Sequence, residues 1–377
     1  MKIEKIWLHS LVVPLMHPYQ LSQEYGLVTD TTIVVVEMHT DTGLVGWGEC
    51  DPWKVFTGDS TEEVVCLLWN KIGPALLGQD PGNIHRIHEI MDNCVAGSNI
   101  AKSAIDMACH DLLGKSCGLP VHTLLGGKRR DELPCFWSVG GGTPEETVKA
   151  VLDVKERGFK GCMLKIGGAD WKNDIARTLA AREAAPDFPM VADANQGWDV
   201  ETAIAYGNAV EKVGLLFIEQ PVKKQDIAGL AQVKNSIATP ISADEGLVTL
   251  QDAQNLIRAK ACDVFSVKVT KHGGLEPARR LCEYAASEGI QLFFNSMHEE
   301  GITQAASLNL AATVEGLVPT IGHSFFSPMR LKGDITDFHT WTKNGMTAVQ
   351  EKPGLGFTID EENMRRFTVE SFVVSGN

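Results

Sequence analysis

Between residues 133 and 324, short apolar runs alternate with amphipathic stretches at helical spacing. Eight runs read as strands: 133–139, Cys162-Met163-Leu164-Lys165, Val191-Ala192-Asp193, Phe217-Ile218-Glu219, Ile241-Ser242-Ala243-Asp244, 264–268, 291–296 and 320–324. Helical patterns fill 170–185, 200–213, 225–236, 249–260, 275–288 and 301–314. One more helix opens at Thr143-Pro144-Glu145-Glu146, where Thr caps and Pro takes the first helical position. Alternation of this length predicts a parallel sheet, and the eightfold count favours a closed (β/α)8 barrel over an open doubly wound sheet. No Gly-x-Gly-x-x-Gly follows any strand, so the dinucleotide-binding alternative lacks its phosphate motif.

The flanks have a different texture. Residues 1–52 read as antiparallel β, with the run Thr31-Thr32-Ile33-Val34-Val35-Val36 and turn chemistry at Thr40-Asp41-Thr42-Gly43. Two stretches without a period, 17–30 and 51–60, are expected to be mobile loops. Ser60-Thr61-Glu62-Glu63 starts a helical region, and 100–114 continues it until Gly118-Leu119-Pro120 breaks the pattern. The division expected is an α+β domain over 1–130, a barrel over 131–330, and a segment over 331–377 that returns to the first domain.

Composition narrows the partners. The chain has 377 residues and a net charge of −14, which argues against nucleic acid or an anionic membrane surface. No run of about 18 apolar residues occurs, so no membrane helix is expected. The first residues alternate like a strand and carry Glu4 and His9 where a signal peptide needs an apolar block. Nine cysteines without a Cys-x-x-Cys pair read as reduced thiols in a cytoplasmic protein, with Cys162 and Cys262, at or near strand starts, expected in the core.

Five of the predicted strands end in a chemically competent group, in the order Lys165, Asp193, Glu219, Asp244 and Lys268. In a barrel the active site lies at the C-terminal ends of the strands. Three carboxylates converging there repel one another unless a cation lies among them. All-oxygen ligation selects a hard ion, and three ligands with positions left open suit Mg2+, with Mn2+ able to substitute. Lys165 on strand two and Lys268 on strand six face each other across the barrel. Each is expected to have its pKa lowered toward neutrality by the metal and the other lysine, as a base at pH 7 requires. One lysine can remove the proton α to a substrate carboxylate to give an enediolate. The other can return a proton to the opposite face, or assist loss of a β-group.

These segments resemble the enolase superfamily in its muconate lactonizing (muconate cycloisomerase) subgroup. The resemblance rests on Gly43-Leu44-Val45-Gly46-Trp47-Gly48-Glu49, Asp111-Leu112-Leu113-Gly114-Lys115, Asp193-Ala194-Asn195, Glu219-Gln220-Pro221, Ala243-Asp244-Glu245, Lys268-Val269-Thr270-Lys271-His272-Gly273-Gly274 and Pro353-Gly354-Leu355-Gly356. It implies an α/β fold: a modified TIM barrel, (β/α)7β, with an N-terminal α+β capping domain completed by the C-terminal tail. It also implies Mg2+ on Asp193, Glu219 and Asp244, with Lys165 and Lys268 as acid/base pair. In that family loops matching 17–30 and 51–60 close over the substrate, which makes Tyr19, Tyr25, Trp53 and Phe56 candidate pocket walls or, alternatively, staples between cap and barrel. Glu299 falls where the subgroup has a carboxylate near the substrate. His298 reads as a structural histidine or an acid, and Asn195 and Ser324 complete the candidate substrate contacts. Homo-oligomerisation is common among similar proteins.

Two departures matter. The subgroup often has Lys-x-Lys on strand two, and here the first position is Met163, on the same side as Lys165. Strand eight, Gly322-His323-Ser324-Phe325, lacks the Asp-x-Asp that dipeptide epimerases use for an ammonium. The leading expectation is therefore a racemase or epimerase of a small carboxylate, amino-acid or betaine-like. A muconate-type cycloisomerase or an acid-sugar or hydroxy-acid dehydratase is the alternative. A Schiff-base aldolase would also place a lysine on strand six but leaves the carboxylates unexplained. A non-catalytic binding barrel would have lost a ligand or base, and none is lost.

Overall fold

The computed structural model describes residues 1–376. Strands β1 (Ile3–Gln20), β2 (Leu27–Thr40) and β3 (Val45–Cys50) form an antiparallel meander. The apolar run in β2 is continuous because this sheet is buried on both faces. Val34, Val36 and Met38 pack with Ile105, Ala108 and Leu112 of the helix Asn99–Cys117, whereas Ile33 and Val35 join the barrel core. β3 lies almost against that helix. A Cβ on Gly48 would sit 1.8 Å from the Ala104 carbonyl oxygen, so only glycine fits.

The stretch 17–30, expected to be a mobile loop, is instead the tip of the β1–β2 hairpin, with Tyr19 opposite Val28 and Gln20 opposite Leu27. The pairing register shifts between Pro14 and Tyr19, which breaks the alternation that would have marked a strand. The stretch 51–60 contains only a short helix, Lys54–Thr57. Ser60 then starts the next helix with a full capping box to Glu63.

The barrel begins after β4 (Glu132–Pro134). Its strands are β5 (Trp137–Val139), β6 (Cys162–Lys165), β7 (Met190–Asp193), β8 (Ile218–Glu219), β9 (Ile241–Ala243), β10 (Val264–Val267) and β11 (Gln291–Phe294). They form one parallel sheet in that order. The predicted first strand is split: β4 leaves the barrel to pair with β13 (Met346–Ala348), which also pairs with β12 (Thr342–Lys343). The predicted eighth strand, 320–324, has no strand of its own. It closes the seam by single bonds, from His323 N to Pro134 O (2.8 Å), from Phe136 N to His323 O (3.2 Å) and from Ser324 N to Phe294 O (3.0 Å). Gly322, at φ +89°, makes the crossing possible, because a Cβ there would meet the Pro134 carbonyl at 2.6 Å. Seven helices pack outside the sheet, from Pro144–Glu156 to Gly301–Thr313.

The tail forms a helix, Glu361–Phe367, and then β14 (Thr368–Ser375), which pairs antiparallel with β1. Asp111 fixes the approach of this tail by accepting from Leu355 N (2.9 Å) and Trp47 N (3.0 Å). Among the described residues no helix is long and apolar enough to cross a membrane.

Glu49 of β3 ties cap to barrel. Its carboxylate accepts from Glu300 N (2.7 Å) and Thr303 N (3.0 Å), at the N-terminus of the helix Gly301–Thr313. Burial pushes its pKa up to about 8, the two backbone donors notwithstanding, with Glu299 and Asp334 adding repulsion. The folded chain therefore holds a proton that the unfolded chain releases near the ordinary value of 4.5. The sign follows: this group's contribution is fully present below pH 4.5 and is lost as pH rises through about 8. Glu49→Gln cannot ionise, so urea titrations should find the variant gaining on the wild type across that window. A pH-independent difference would contradict this assignment.

Candidate active site

Register aligns the functional groups. Lys165 pairs with Asp193 across β6 and β7, Asp193 with Glu219 across β7 and β8, and Glu219 with Ser242 across β8 and β9. Asp244 follows β9 directly and Lys268 follows β10. The backbone turns sharply at two of these ends. Asn195, Gln196 and Gln220 all have positive φ (+42°, +64° and +34°), a conformation non-glycine residues hold only when their surroundings impose it. The Gln220 side-chain oxygen repays its strained backbone by accepting from Asp244 N (3.0 Å) and Gly246 N (3.2 Å).

Asp193, Glu219 and Asp244 are fully buried. Lys165 donates to Asp193 and, at 3.2 Å, to Asn195 Oδ1. Lys268 donates to Asp244 Oδ2 at 2.5 Å. Burial pushes both ammonium groups down, but the carboxylates outweigh it. Asp193, then Tyr19 and Glu219, hold Lys165 above its ordinary range, and Asp244, then Glu219 and Glu245, do the same for Lys268. Among the protein groups alone, the expected lowering toward neutrality is thus reversed, since each lysine's nearest neighbour is an anion.

As the side chains lie, no group of three His, Cys, Asp or Glu among the described residues is arranged to hold a metal ion. The backbone register nevertheless brings the three carboxylates side by side, and Glu219 tests whether a cation fits. Its Oε1 accepts from Asn295 Nδ2 (2.8 Å), but Oε2 is buried without a partner. Burial first, then Asp193 and Asp244, push its carboxyl well above the usual range. A buried, unpartnered oxygen between two further carboxylates fits a hard cation.

A cavity of about 40 Å³ is touched by Lys165, Lys268, Met163 and Asn195, while Asp193, Glu219 and Asp244 do not line it. Tyr19, Tyr25, Trp53, Phe56 and His298 form its walls, so all four aromatic candidates and the histidine reach it. That volume is well below the roughly 300 Å³ of a typical small-molecule pocket. Phe56 lies directly on the Lys268 ammonium, 4.3 Å from Nζ to ring centre. Tyr25 packs at 4.9 Å from Trp53 and donates to Glu245. His298 stacks edge-on against Tyr19 and Trp53. Burial, with Arg330 and both lysines, pushes its pKa down to about 3, so it is neutral. A larger groove of about 860 Å³ lies elsewhere, beside His85, Asn99 and Arg279, and touches none of the strand-end groups.

Glu299 and Ser324 do not reach the cavity. Glu299 is buried, accepting from Met297 N and Gln304, and Ser324 hydrogen-bonds Ser296, which does line the cavity. Two cations escaped the sequence reading. Lys271, three residues after Lys268, donates to Asp244 Oδ1 (2.6 Å), Asp244 O (2.7 Å) and Ser266 O (3.0 Å). Its spacing on the turn after Lys268 was the available signal. Arg330, beyond the last predicted strand, lines the cavity without any motif to announce it.

A barrel with carboxylates on three consecutive strands, flanked by opposed lysines and lidded by an α+β cap, defines the enolase class of enzyme. The mandelate racemase/muconate lactonizing enzyme N-terminal domain matches residues 5–126, and the enolase C-terminal domain-like family matches residues 146–363. The chain belongs to this family and is an isomerase of the enolase superfamily. It is 32% identical over 376 residues to an N-succinyl-L-Arg/Lys racemase of Bacillus cereus, covering 99% of this chain and 100% of the relative. The crystal structure of the Bacillus cereus N-succinyl Arg/Lys racemase superposes with a TM-score of 0.95 at 31% identity, again over 99% and 100%. A chloromuconate cycloisomerase of Cupriavidus pinatubonensis is 32% identical over 89% of this chain and 90% of its own. A dipeptide epimerase of Cytophaga hutchinsonii, complexed with Mg and D-Ala-L-Val, has a TM-score of 0.93 at 26% identity, over 99% of this chain and 100% of that one.

Calorimetric titration with Mg2+ should give saturable binding. Glu219→Gln should weaken it by more than about 100-fold, the upper end of what loss of an outer partner costs a metal site. Unchanged affinity in that variant would remove Glu219 from the ligand set.

Proposed function

We propose that the protein racemises or epimerises a small carboxylate of the amino-acid class by proton transfer between two lysines. The observation that carries this reading is the placement of Lys165, which ends β6, and Lys268, which follows β10, on opposite sides of the barrel and touching one cavity. Asp193, Glu219 and Asp244 would hold Mg2+, which when bound supplies positive charge against the substrate carboxylate as the α-proton leaves. Lys165 takes or gives the proton on one face of the α-carbon and Lys268 does so on the other. The pairing with Asp193 and Asp244 orients each ammonium, and a cation held by those carboxylates would lower the pKa of each lysine toward that of a base. Tyr25, Trp53 and Phe56 exclude water once the substrate is seated. Asn195 lies on Lys165 and steadies its position.

The similarity to chloromuconate cycloisomerase supports a second reading, lactonisation of a muconate-like diacid at the same site. One experiment separates the two. The protein is incubated with Mg2+ in D2O and a panel of amino-acid derivatives, betaines and muconate, and proton NMR follows the α-hydrogen. Exchange with inversion of the centre is expected. Lactone formation without α-exchange would replace this reading with the second. Lys165→Ala and Lys268→Ala should each lower racemisation by about 1000-fold. Each variant should still exchange the α-proton of one enantiomer only. Racemisation retained in either variant would end the two-base mechanism.

A further inference from the structure

Arg330 is a buried cation without an anion. It ends the short 3-10 turn Ser327–Arg330 and is only 8% exposed. Among the described residues no carboxylate lies within ion-pair distance of it, and its one hydrogen bond runs from Nη2 to the Ser138 carbonyl at 2.6 Å. Its guanidinium carbon stands 3.8 Å from the ring centre of Tyr19, 5.0 Å from Phe326 and 5.1 Å from Trp137. Aromatic faces compensate part of a buried charge and hold the planar group in place. A guanidinium has five N–H donors, and a buried one is normally matched to a carboxylate or phosphate. Arg330 lines the same cavity as the two lysines.

Topology places it across the barrel from the three carboxylates. Asp193, Glu219 and Asp244 belong to the ends of the third, fourth and fifth strands, β7 to β9. Arg330 follows the seam segment at the eighth position and bonds to β5, the first strand. In a closed barrel these are opposite sectors, and the lysines of the second and sixth strands stand between them. A substrate with its reacting carboxylate at the acidic sector and its α-carbon between the lysines extends its remaining chain toward Arg330.

We infer that Arg330 is the recognition site for a second carboxylate, carried on the side chain or N-acyl group of the substrate, so that the enzyme takes dianionic substrates. This rests on the proposed racemisation for the orientation of the substrate, but not for the existence of the anion site. A planar carboxylate meets the guanidinium fork through two parallel hydrogen bonds. A neutral group of the same shape leaves the buried charge unpaired, which is how such a site rejects it.

The test pairs N-succinyl-L-alanine with N-butanoyl-L-alanine, which replaces the distal carboxylate by a methyl group. Binding to the Mg2+-loaded enzyme is followed by calorimetry, and α-proton exchange by NMR in D2O. The wild type should bind the succinyl compound about 100-fold more tightly, the scale of one charged hydrogen-bonded pair. Arg330→Met should abolish that preference by weakening only the succinyl compound, and Arg330→Lys should restore part of it. Equal binding of the two compounds by the wild type overturns the inference, as does binding of neither. An equal loss for both compounds in Arg330→Met overturns it too, and makes Arg330 a staple of the barrel seam. A preference in binding without α-exchange supports the anion site and fails the racemase reading. Exchange without a preference does the reverse.

Discussion

Asp193, Glu219 and Asp244 are buried side by side by the backbone register of β7, β8 and the turn after β9, and the rest of the site answers their mutual repulsion. Three cations approach two of them: Lys165 at Asp193, and Lys268 and Lys271 at Asp244. Asn295 takes one oxygen of Glu219 and leaves the other bare. Gln220, held at positive φ, spends its side chain on the backbone that carries Asp244. The carboxylates cannot relax apart, because each is fixed by a strand of a closed sheet. Such a cluster is costly without a cation and well prepared for one.

The cap is coupled to this cluster by backbone bonds to buried carboxylates. Glu49 holds the start of the helix after β11, Asp106 accepts from Leu275 N in the barrel, and Asp111 fixes the returning tail. The meander between these contacts is apolar on both faces, so one sheet serves two cores, that of the cap and that of the barrel. Tyr25, Trp53 and Phe56 pack on one another at the edge of the cap and wall the pocket.

The positions of the strand-end groups were readable because each is a local event. An apolar run that stops at a charge is visible in a few residues, and its repetition at regular spacing implies a barrel. The same locality explains the errors. The hairpin tip at 17–30 has no period because its register shifts, and the segment at 320–324 has strand-like residues but bonds to two partners at only a few points. Glu299 carries the right charge at the right strand, yet its side chain points into bonds with Met297 and Gln304 instead of the cavity.

By itself the sequence determined the barrel, the three carboxylates and the two lysines, since strand ends and charge are properties of neighbouring residues. Only the tertiary structure decided what those charges feel. It paired each lysine with an anion, left one oxygen of Glu219 unpartnered, and brought Arg330 from beyond the last strand to the cavity edge with no anion of its own. Burial and pairing depend on residues distant along the chain, and no local pattern encodes them.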